Sequence, residues 1–378
     1  MAAESPTISI APSRTARQKQ LVIVVSRIWA WVFLVLLLIF FTVSVFSTSG
    51  GSVNFLTLRN SQNILMAITP VLLMGLGQTF VIIAAGIDLS VGWVMGLASV
   101  ISALVIADFV ARGMGEVPAI VLGFIIGVIS AAIPGFINGV IIAKLRIPSF
   151  IVTLGMSFIA RGISLLLSGG NVVIGQPPGV RAFGNESLLY LISGEGGGLY
   201  FLQRPNVTGE VLQRLDRILP WPVVVTAIVV AIALFVLHKT QFGRHTYAIG
   251  GNREAAVRAG VPVDRHIIML YTLSGITCGI AGVLHTARFN GGSSIAGDPL
   301  MLPSIAAVII GGVSMFGGHG SVAGTVIGAL IIAVLTTGLV MLNVQPFWQF
   351  IVVGIVVILA VLIDQARDLI IGRMESHG

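Results

Sequence analysis

Ten apolar runs, separated by polar segments, divide the 378-residue sequence. A helix that crosses a lipid bilayer needs about 20 mainly apolar residues. The runs that approach this length cover residues 28–46, 64–86, 91–107, 119–143, 151–167, 219–237, 266–287, 300–316, 321–342 and 347–363. This pattern predicts an all-α integral membrane protein with about ten transmembrane helices, surrounded by membrane lipid.

The composition supports the same class of protein. Hydrophobic residues make up 56% of the chain and charged residues 9%, with a mean hydropathy of +1.03. Soluble domains are about 25% charged, so these few charges would not cover a soluble globule. We attribute the net charge of +7 to basic residues that flank the spans, and expect no nucleic-acid partner. The single cysteine, Cys278, excludes a disulfide framework.

The distribution of basic residues predicts the orientation. With the N-terminus in the cytosol, 13 of the 21 Lys and Arg residues fall in cytosolic segments and seven in external ones. Four of those seven lie in one long loop, 168–218, which counts little in the positive-inside rule. The predicted organisation is therefore a disordered cytosolic tail over 1–27, a transmembrane domain over 28–363 with an external loop 168–218 and a cytosolic loop 238–265, and a cytosolic C-terminal tail over 364–378.

The segment GIDLSVG, residues 86–92, interrupts the apolar pattern without a basic residue. We interpret it as a tight cytosolic turn, with an interrupted helix inside the membrane as the alternative. Asp88 and Ser90 are plausible N-caps of the following span. A role in gating is the second hypothesis for these two residues.

Two pairs of successive spans share a sequence pattern. The motif G-x-x-x-G followed by Ile-Ile-Ala occurs at 135–143 and at 324–333, and a Pro-led new span follows each at Pro148 and Pro346. In the predicted topology these pairs run in opposite directions, which indicates an inverted repeat. A rival match between 86–91 and 317–322 would indicate a parallel repeat, and we favour the inverted one because it covers two spans.

Polar side chains inside the apolar runs indicate a solute pathway, because such groups are costly in hydrocarbon unless they face a cavity or a partner. Gln78 and Asn138 are the main candidates for lining a pathway for a neutral polar solute. Thr153 is a further candidate, although a threonine can also bond its own helix backbone. Asp88 and Ser90 complete the candidate set.

Motifs for catalysis are missing from the sequence. It contains no H-E-x-x-H, G-x-S-x-G, C-x-x-C or nucleotide-binding G-x-x-x-x-G-K-[ST] pattern. We therefore expect no catalytic site, no metal site and no cofactor in this chain, so any energy for pumping must enter from outside.

The stretch GGNREAAVRAGVPVDR, residues 250–265, is polar between two apolar spans. Asn252 is a good N-cap, Glu254 and Arg258 are i,i+4 partners in the favoured order, and Gly260 followed by Pro262 ends the helix. This predicts a helix of about two turns, too short to be stable alone. Its alanines, Ala255, Ala256 and Ala259, offer a small-residue surface for docking.

Three segments resemble the permease subunits of bacterial ATP-binding-cassette importers for monosaccharides, of the ribose, xylose and galactose type. They are GIDLSVG at 86–92, YAIGGNREAAVRAG at 247–260, and IAAVIIGGVSMFGGHGSVAGTVIGAL at 305–330. The likeness covers roughly residues 60–365.

The resemblance implies a fold similar to cobalamin-type importer permeases, in the bacterial inner membrane with both termini cytosolic. It also implies a second permease chain, forming a homodimer, a cytosolic ATPase that binds the ATP and Mg, and a periplasmic or lipid-anchored binding protein. The coupling helix that docks on the ATPase would fall on Gly250, Gly251, Asn252, Arg253, Glu254, Ala255, Ala256, Arg258 and Gly260.

The resemblance favours a pentose or hexose as the solute. A related importer for an autoinducer, a nucleoside or a branched-chain amino acid is the alternative. A membrane enzyme or an ion-driven transporter is the third hypothesis. The sequence does not say which sugar is carried.

Overall fold

A computed structural model describes residues 14–194, 197–202, 204–209, 211, 214–356, 358–359 and 362. The helices are α1 (Arg14–Thr48), α2 (Leu58–Ile83), α3 (Val91–Ala111), α4 (Glu116–Leu145), α5 (Ser149–Ser168), α6 (Pro178–Asn185), α7 (Trp221–Lys239), α8 (Gln241–Gly251), α9 (Arg253–Arg258), α10 (Val263–Phe289), α11 (Met301–Ile310), α12 (Val322–Met341) and α13 (Pro346–Val356). The strands are β1 (Leu189–Ile192), β2 (Gly198–Phe201) and β3 (Leu215–Arg217).

Each of the ten predicted apolar spans overlaps a helix, although the last span, 347–363, lies partly outside the described residues. Among the described residues, eight helices are long and apolar enough to cross a membrane, and two shorter apolar helices cover 298–310 and 346–356. The predicted span 300–316 is therefore wrong at its C-terminal end, since α11 stops at Ile310 and a turn follows with Gly312 at a positive φ of 82°. The fold is that of a nearly all-helical, multi-pass membrane protein.

The N-terminal prediction also needs correction. The chain is helical from Arg14 onward, so residues 14–27 are not a disordered tail but extend the first span. Residues such as Arg, Gln and Lys are good helix formers, and a helix already formed by the apolar span can propagate through them. Residues 1–13 and the predicted C-terminal tail, 364–378, lie outside the described part of the chain.

Helices α2 and α10 form the centre of the bundle. They are buried along most of their apolar lengths, whereas α4, α5 and α7 expose one apolar face. Small residues allow the central helices to approach closely, as small residues do in membrane helix pairs generally. A Cβ on Gly135 of α4 would collide with the Tyr271 backbone, and one on Gly275 of α10 with the Ala131 backbone.

Two non-helical segments enter the bundle from opposite ends. Residues 84–90 follow α2 and lead into α3, and residues 290–297 follow α10 and lead through a 3-10 turn (Asp298–Leu300) into α11. The second segment lies along α3, where Gly292 packs against Ser99 and Gly297 packs against Gly92.

The order of elements supports the inverted repeat. Helix α2, a non-helical segment, α3, α4 and α5 correspond in order to α10, a non-helical segment, α11, α12 and α13. The left-handed residues recur at matching ends, because Ala85 and Asn290 follow α2 and α10 while Arg146 and Asn343 follow α4 and α12. The two halves run in opposite directions, since α2 packs antiparallel to α10, with Met66 hydrogen-bonded to Arg288 at one end and Gly77 packed against Ser274 further along.

The long loop 168–218 contains structure that the all-helical prediction missed. It holds α6 and a three-stranded antiparallel sheet in the order β2-β1-β3, whose strands are too short to show a clear alternating pattern in the sequence. Helix α6 fixes the loop to the bundle, with Phe183 stacked on Trp221 at 6.4 Å between ring centroids and Gly184 packed on Ala287.

Candidate functional site

The segment 84–90 is the first part of the candidate site. Helix α2 ends at Ile83, and Ala85, with a φ of 62°, turns the chain back toward the bundle. Gly86 follows in a place where a Cβ would come within 2.6 Å of the Tyr271 hydroxyl. A larger residue would therefore hold the segment away from α10, so the glycine allows it to enter the bundle.

Asp88 lies at the centre of a buried hydrogen-bond network. Its side chain is 2% exposed. One carboxylate oxygen accepts from the Ser90 N–H at 2.9 Å and the Ser90 hydroxyl at 2.6 Å, and the other accepts from the Ser274 hydroxyl at 2.8 Å. Three donors and the adjacent N-terminus of α3 stabilise a carboxylate in this position.

Gln78 and Asn138 hold the same segment from two further helices. The Gln78 amide donates to the Asp88 carbonyl, and the Asn138 amide donates to the Ser90 hydroxyl at 3.1 Å. Both side chains are fully buried, and the carbonyl oxygens of both amides have no hydrogen-bond partner among the described residues. A buried acceptor without a partner costs about 1–3 kcal/mol.

Helix α5 fixes the outer side of the segment. The Leu89 N–H donates to the Thr153 hydroxyl oxygen at 3.0 Å, and the Ile87 N–H donates to the Ser149 hydroxyl oxygen at 3.1 Å. The Thr153 hydroxyl also donates to the Ser149 carbonyl of its own helix at 2.9 Å. Thr153 therefore satisfies its own backbone and binds the segment as well.

The structure brings all five predicted pathway residues together. Gln78, Asp88, Ser90, Asn138 and Thr153 share one network, yet each is buried within this single chain rather than exposed to an open passage. The sequence did not single out Ser274, Tyr271 or Ser149, which are ordinary residues of apolar helices. Their positions beside the glycines of α10 and the Pro148 helix start are the signals that could have indicated them.

The chain turns at residues 84–86 and then packs within the bundle, with Asp88 and Ser90 buried. Its position relative to the membrane, as a cytosolic turn or as an interruption inside the bilayer, stays a prediction. The capping prediction is wrong in detail. Ser90 occupies the N-cap position of α3 but makes no side-chain cap hydrogen bond, and instead Asp88 binds the Ser90 N–H.

The polar stretch after α7 is the second part of the site. Asn252 caps α9 as predicted, with the Ala255 N–H donating to its side-chain oxygen at 2.9 Å. Arg258 and Glu254 form the predicted exposed ion pair at 3.9 Å, and Gly260 has a positive φ of 80°. The prediction missed α8, whose last residues are Gly250 and Gly251, because three of its eleven residues are glycines, which are poor helix formers.

The faces of α9 differ from the prediction at two residues. Ala256 is 4% exposed and packs against its own chain, so it does not belong to a docking surface. The other residues of α9, including Arg253, Glu254, Ala255 and Arg258, are exposed. Val257, which the prediction did not include, is 57% exposed and places an apolar side chain on the free face.

Helix α8 connects α9 to the Asp88 network. Gly250 packs against the Ile83 carbonyl and the Gly318 backbone, and the Gly318 N–H donates to the Ile83 carbonyl at 2.8 Å. The Tyr247 hydroxyl donates to the Gly320 carbonyl at 2.7 Å. Burial raises the pKa of Tyr247 above its ordinary value of 10.0, so the phenol remains a donor at neutral pH. The end of α2 is therefore held between α8 and the loop that precedes α12.

Comparison with known proteins identifies the family of the chain. The model of the family described as the permease component of the branched-chain amino acid transport system matches residues 60–361. The chain belongs to this family of permeases. It is 37% identical to the ribose import permease protein RbsC of Bacillus subtilis over 317 residues, which cover 83% of this chain and 87% of the relative.

Two further relatives transport other sugars by name. The xylose transport system permease protein XylH of Haemophilus influenzae is 37% identical over 349 residues, covering 83% of this chain and 90% of the relative. The fructose import permease protein FrcC of Rhizobium meliloti is 37% identical over 303 residues, covering 80% and 76%. No solved structure matches the chain.

Proposed function

We propose that this chain is the membrane permease subunit of an ATP-driven importer that moves a monosaccharide, a pentose or a hexose, across the bacterial cytoplasmic membrane. The observation that carries the proposal is the similarity over most of the chain to permeases named for ribose, xylose, fructose and allose. The family description names branched-chain amino acids, but these sugar permeases favour a sugar over an amino acid, a nucleoside or an autoinducer.

In this proposal, α9 is the helix on which a separate cytosolic ATPase docks, and the partner ATPase binds the ATP and Mg. Two features support the assignment. The helix is capped at both ends and exposes most of its surface, and Val257 gives that surface an apolar anchor. The docking residues are Arg253, Glu254, Ala255, Val257 and Arg258, with Asn252, Gly251 and Gly260 setting the ends of the helix.

The path from the docked helix to the solute runs through α8. A displacement of α9 would move α8, and Gly250 would transmit it to Ile83 because no side chain separates the two backbones. Four residues, 84–87, join Ile83 to Asp88. The Asp88 network ties that chain to α4 and α10, so its rearrangement would change how the bundle packs. Such packed elements switch between discrete arrangements rather than deform continuously.

The unpaired amide oxygens of Gln78 and Asn138 support a role in the pathway. Both are acceptors, and a sugar offers many hydroxyl donors. In the arrangement seen here both residues are enclosed. We propose that they, with Asp88, Ser90 and Thr153, become accessible to the solute when the segment 84–90 moves.

The assembly in this proposal contains two copies of the permease chain, two ATPase domains and a periplasmic or lipid-anchored binding protein. Both termini and α9 lie on the cytosolic side. The basic-residue distribution supports this orientation, and Lys144, which lies in a predicted cytosolic segment, is 3.8 Å from Asp264 beside α9.

Uptake of labelled sugars in cells that express the permease with its ATPase and binding protein tests the proposal. We expect uptake of one or more monosaccharides, and loss of that uptake in Glu254→Lys with unchanged stability because the pair with Arg258 is exposed. Uptake of leucine or a nucleoside, with no sugar uptake, would overturn the solute class. Sugar uptake that continues without the ATPase and stops with an ionophore would overturn the mechanism.

A further inference from the structure

Strand β2 carries a run of exposed apolar side chains outside the helices of the bundle. Leu199 is 64% exposed, Tyr200 38% and Phe201 63%, and Leu202 directly after the strand is 56% exposed. The strand is an edge of the sheet, and no other strand among the described residues pairs with its outer side. Exposed apolar edge strands promote aggregation unless something covers them.

Backbone hydrogen bonds across the sheet connect this exposed run to the start of helix α7. The Leu202 N–H donates to the Leu188 carbonyl at 2.8 Å, and the Leu188 N–H donates to the Leu219 carbonyl at 2.8 Å. Leu219 is two residues before Trp221, the first residue of the membrane span α7. Leu202 is therefore connected, through two backbone hydrogen bonds across the sheet, to the chain just before α7 begins. Trp221 is a residue type enriched at membrane–water interfaces.

The backbone of Leu202 gives a second, independent indication. Its φ is 64°, a left-handed conformation that glycine or asparagine adopts at less cost. An ordinary side chain there costs about 1 kcal/mol. A buried contact within the protein could offset this cost, but the side chain is more than half exposed. The leucine side chain therefore gains little from burial within its own chain.

We propose that Phe201 and Leu202 dip into the lipid–water interface of the bilayer at the end of the bundle where α7 begins. The exposed Arg204, two residues further on, would place its guanidinium among the phospholipid phosphates. Apolar and aromatic groups below a basic head group are the combination that interfacial anchors use. The sheet of loop 168–218 is then a membrane-surface anchor that holds the loop at one height beside the bundle.

A depth gradient along the sheet follows from this placement. A strand rises about 3.3 Å per residue, so Leu199 would lie up to about 10 Å farther from the bilayer than Leu202. Ser193, exposed at the opposite end of β1, would lie in water. A protein partner covering β2 would give no such gradient with respect to lipid.

Single cysteines at these positions test the proposal. Leu202→Cys, Leu199→Cys and Ser193→Cys are labelled with an environment-sensitive maleimide fluorophore in the full chain, which is then placed in phospholipid nanodiscs. Native Cys278 is completely buried and should not react with the maleimide. Wild type treated with the same reagent therefore serves as the blank. Some nanodiscs contain lipids brominated near the headgroup end of the acyl chain, which quench a nearby fluorophore. Phe201→Cys provides a second variant if Leu202→Cys fails to fold.

We expect about twofold quenching at position 202, since interfacial groups lie about 5–10 Å into the headgroup and acyl boundary. Quenching should be weaker at 199 and absent at 193. Equal emission at 202 and 193, with no effect of brominated lipid, would overturn the proposal. Protection of position 202 from water only after the binding protein is added would overturn it too, because β2 would then be a protein-docking surface.

Discussion

Gly250 of α8 packs directly on the backbone carbonyl of Ile83, the last residue of α2, with no side chain between them. This contact joins the exposed helix α9 to the segment that carries Asp88. Gly251, the next residue, has no heavy atom near the position that a Cβ would occupy. The two neighbouring glycines therefore differ. A methyl group added by a substitution to alanine would collide with backbone at Gly250 but not at Gly251.

Gly250→Ala should destabilise the purified permease by about 1–3 kcal/mol, because the added methyl group must displace backbone rather than a flexible side chain. Thermal unfolding in detergent measures the change. Gly251→Ala is the matched control and should be neutral or slightly stabilising. Equal melting temperatures for the two variants would show that the contact between α8 and α2 is not tight.

Asp88→Ala should lower the free energy of unfolding by about 3 kcal/mol, because it leaves the Ser90 and Ser274 donors unpaired in the bundle. It should also abolish transport. Ser274→Ala removes a single donor and should cost about 1 kcal/mol. Unfolding of both single variants and the double variant gives their coupling energy. Strictly additive effects would contradict the network described here.

Val257→Ser should weaken capture of the ATPase by the permease without changing the melting temperature, because Val257 is exposed and makes no contribution to the core. Ala256→Leu should lower the melting temperature and leave capture of the ATPase unchanged in the folded protein. Ala256 is 4% exposed, so a larger side chain overpacks its site and costs about 1–3 kcal/mol. Co-purification with the ATPase and thermal unfolding are measured for both. Loss of capture in Ala256→Leu at unchanged stability would reverse the assignment of the faces.

Tyr247→Phe should cost about 1 kcal/mol, since it leaves the Gly320 carbonyl without its donor. The pKa of Tyr247 is raised above 10.0 by burial, so the native state keeps the proton more firmly than the unfolded state. The contribution of Tyr247 to the free energy of unfolding should therefore be independent of pH near neutrality. It should decrease only as the pH rises above 10.0, where the unfolded state loses the phenol proton. Unfolding of wild type and variant across this pH range measures the difference, which should be constant near neutrality. A difference that changes near neutral pH would show that another group controls the contact.

Local sequence signals predicted α9 well. The Asn252 cap, the Glu254–Arg258 spacing and the positive φ of Gly260 are properties of neighbouring residues, and each is present in the structure. The orientation of Ala256 was not predicted, because the packing of a six-residue helix depends on what lies beneath it. Helix α8 was missed because it contains three glycines, and the three strands were missed because they are only three or four residues long.

The candidate site shows the same division. Asp88, Gln78 and Asn138 were indicated because polar groups are costly in an apolar span. Their convergence depends on α2, α4 and α10 meeting at glycines, with Gly135 and Gly275 allowing contact between α4 and α10. Ser274 has no sequence signal that separates it from a serine bonded to its own helix.

The sequence by itself determined the class of the protein, the number of apolar segments and the limits of the exposed helix α9, because hydropathy and capping act over a few neighbouring residues. Only the tertiary structure decided that the segment 84–90 enters the bundle and that Gly250 touches Ile83. It alone also decided that the amide oxygens of Gln78 and Asn138 remain without partners. Those features arise where distant helices pack, and close packing depends on the shapes of both surfaces at once.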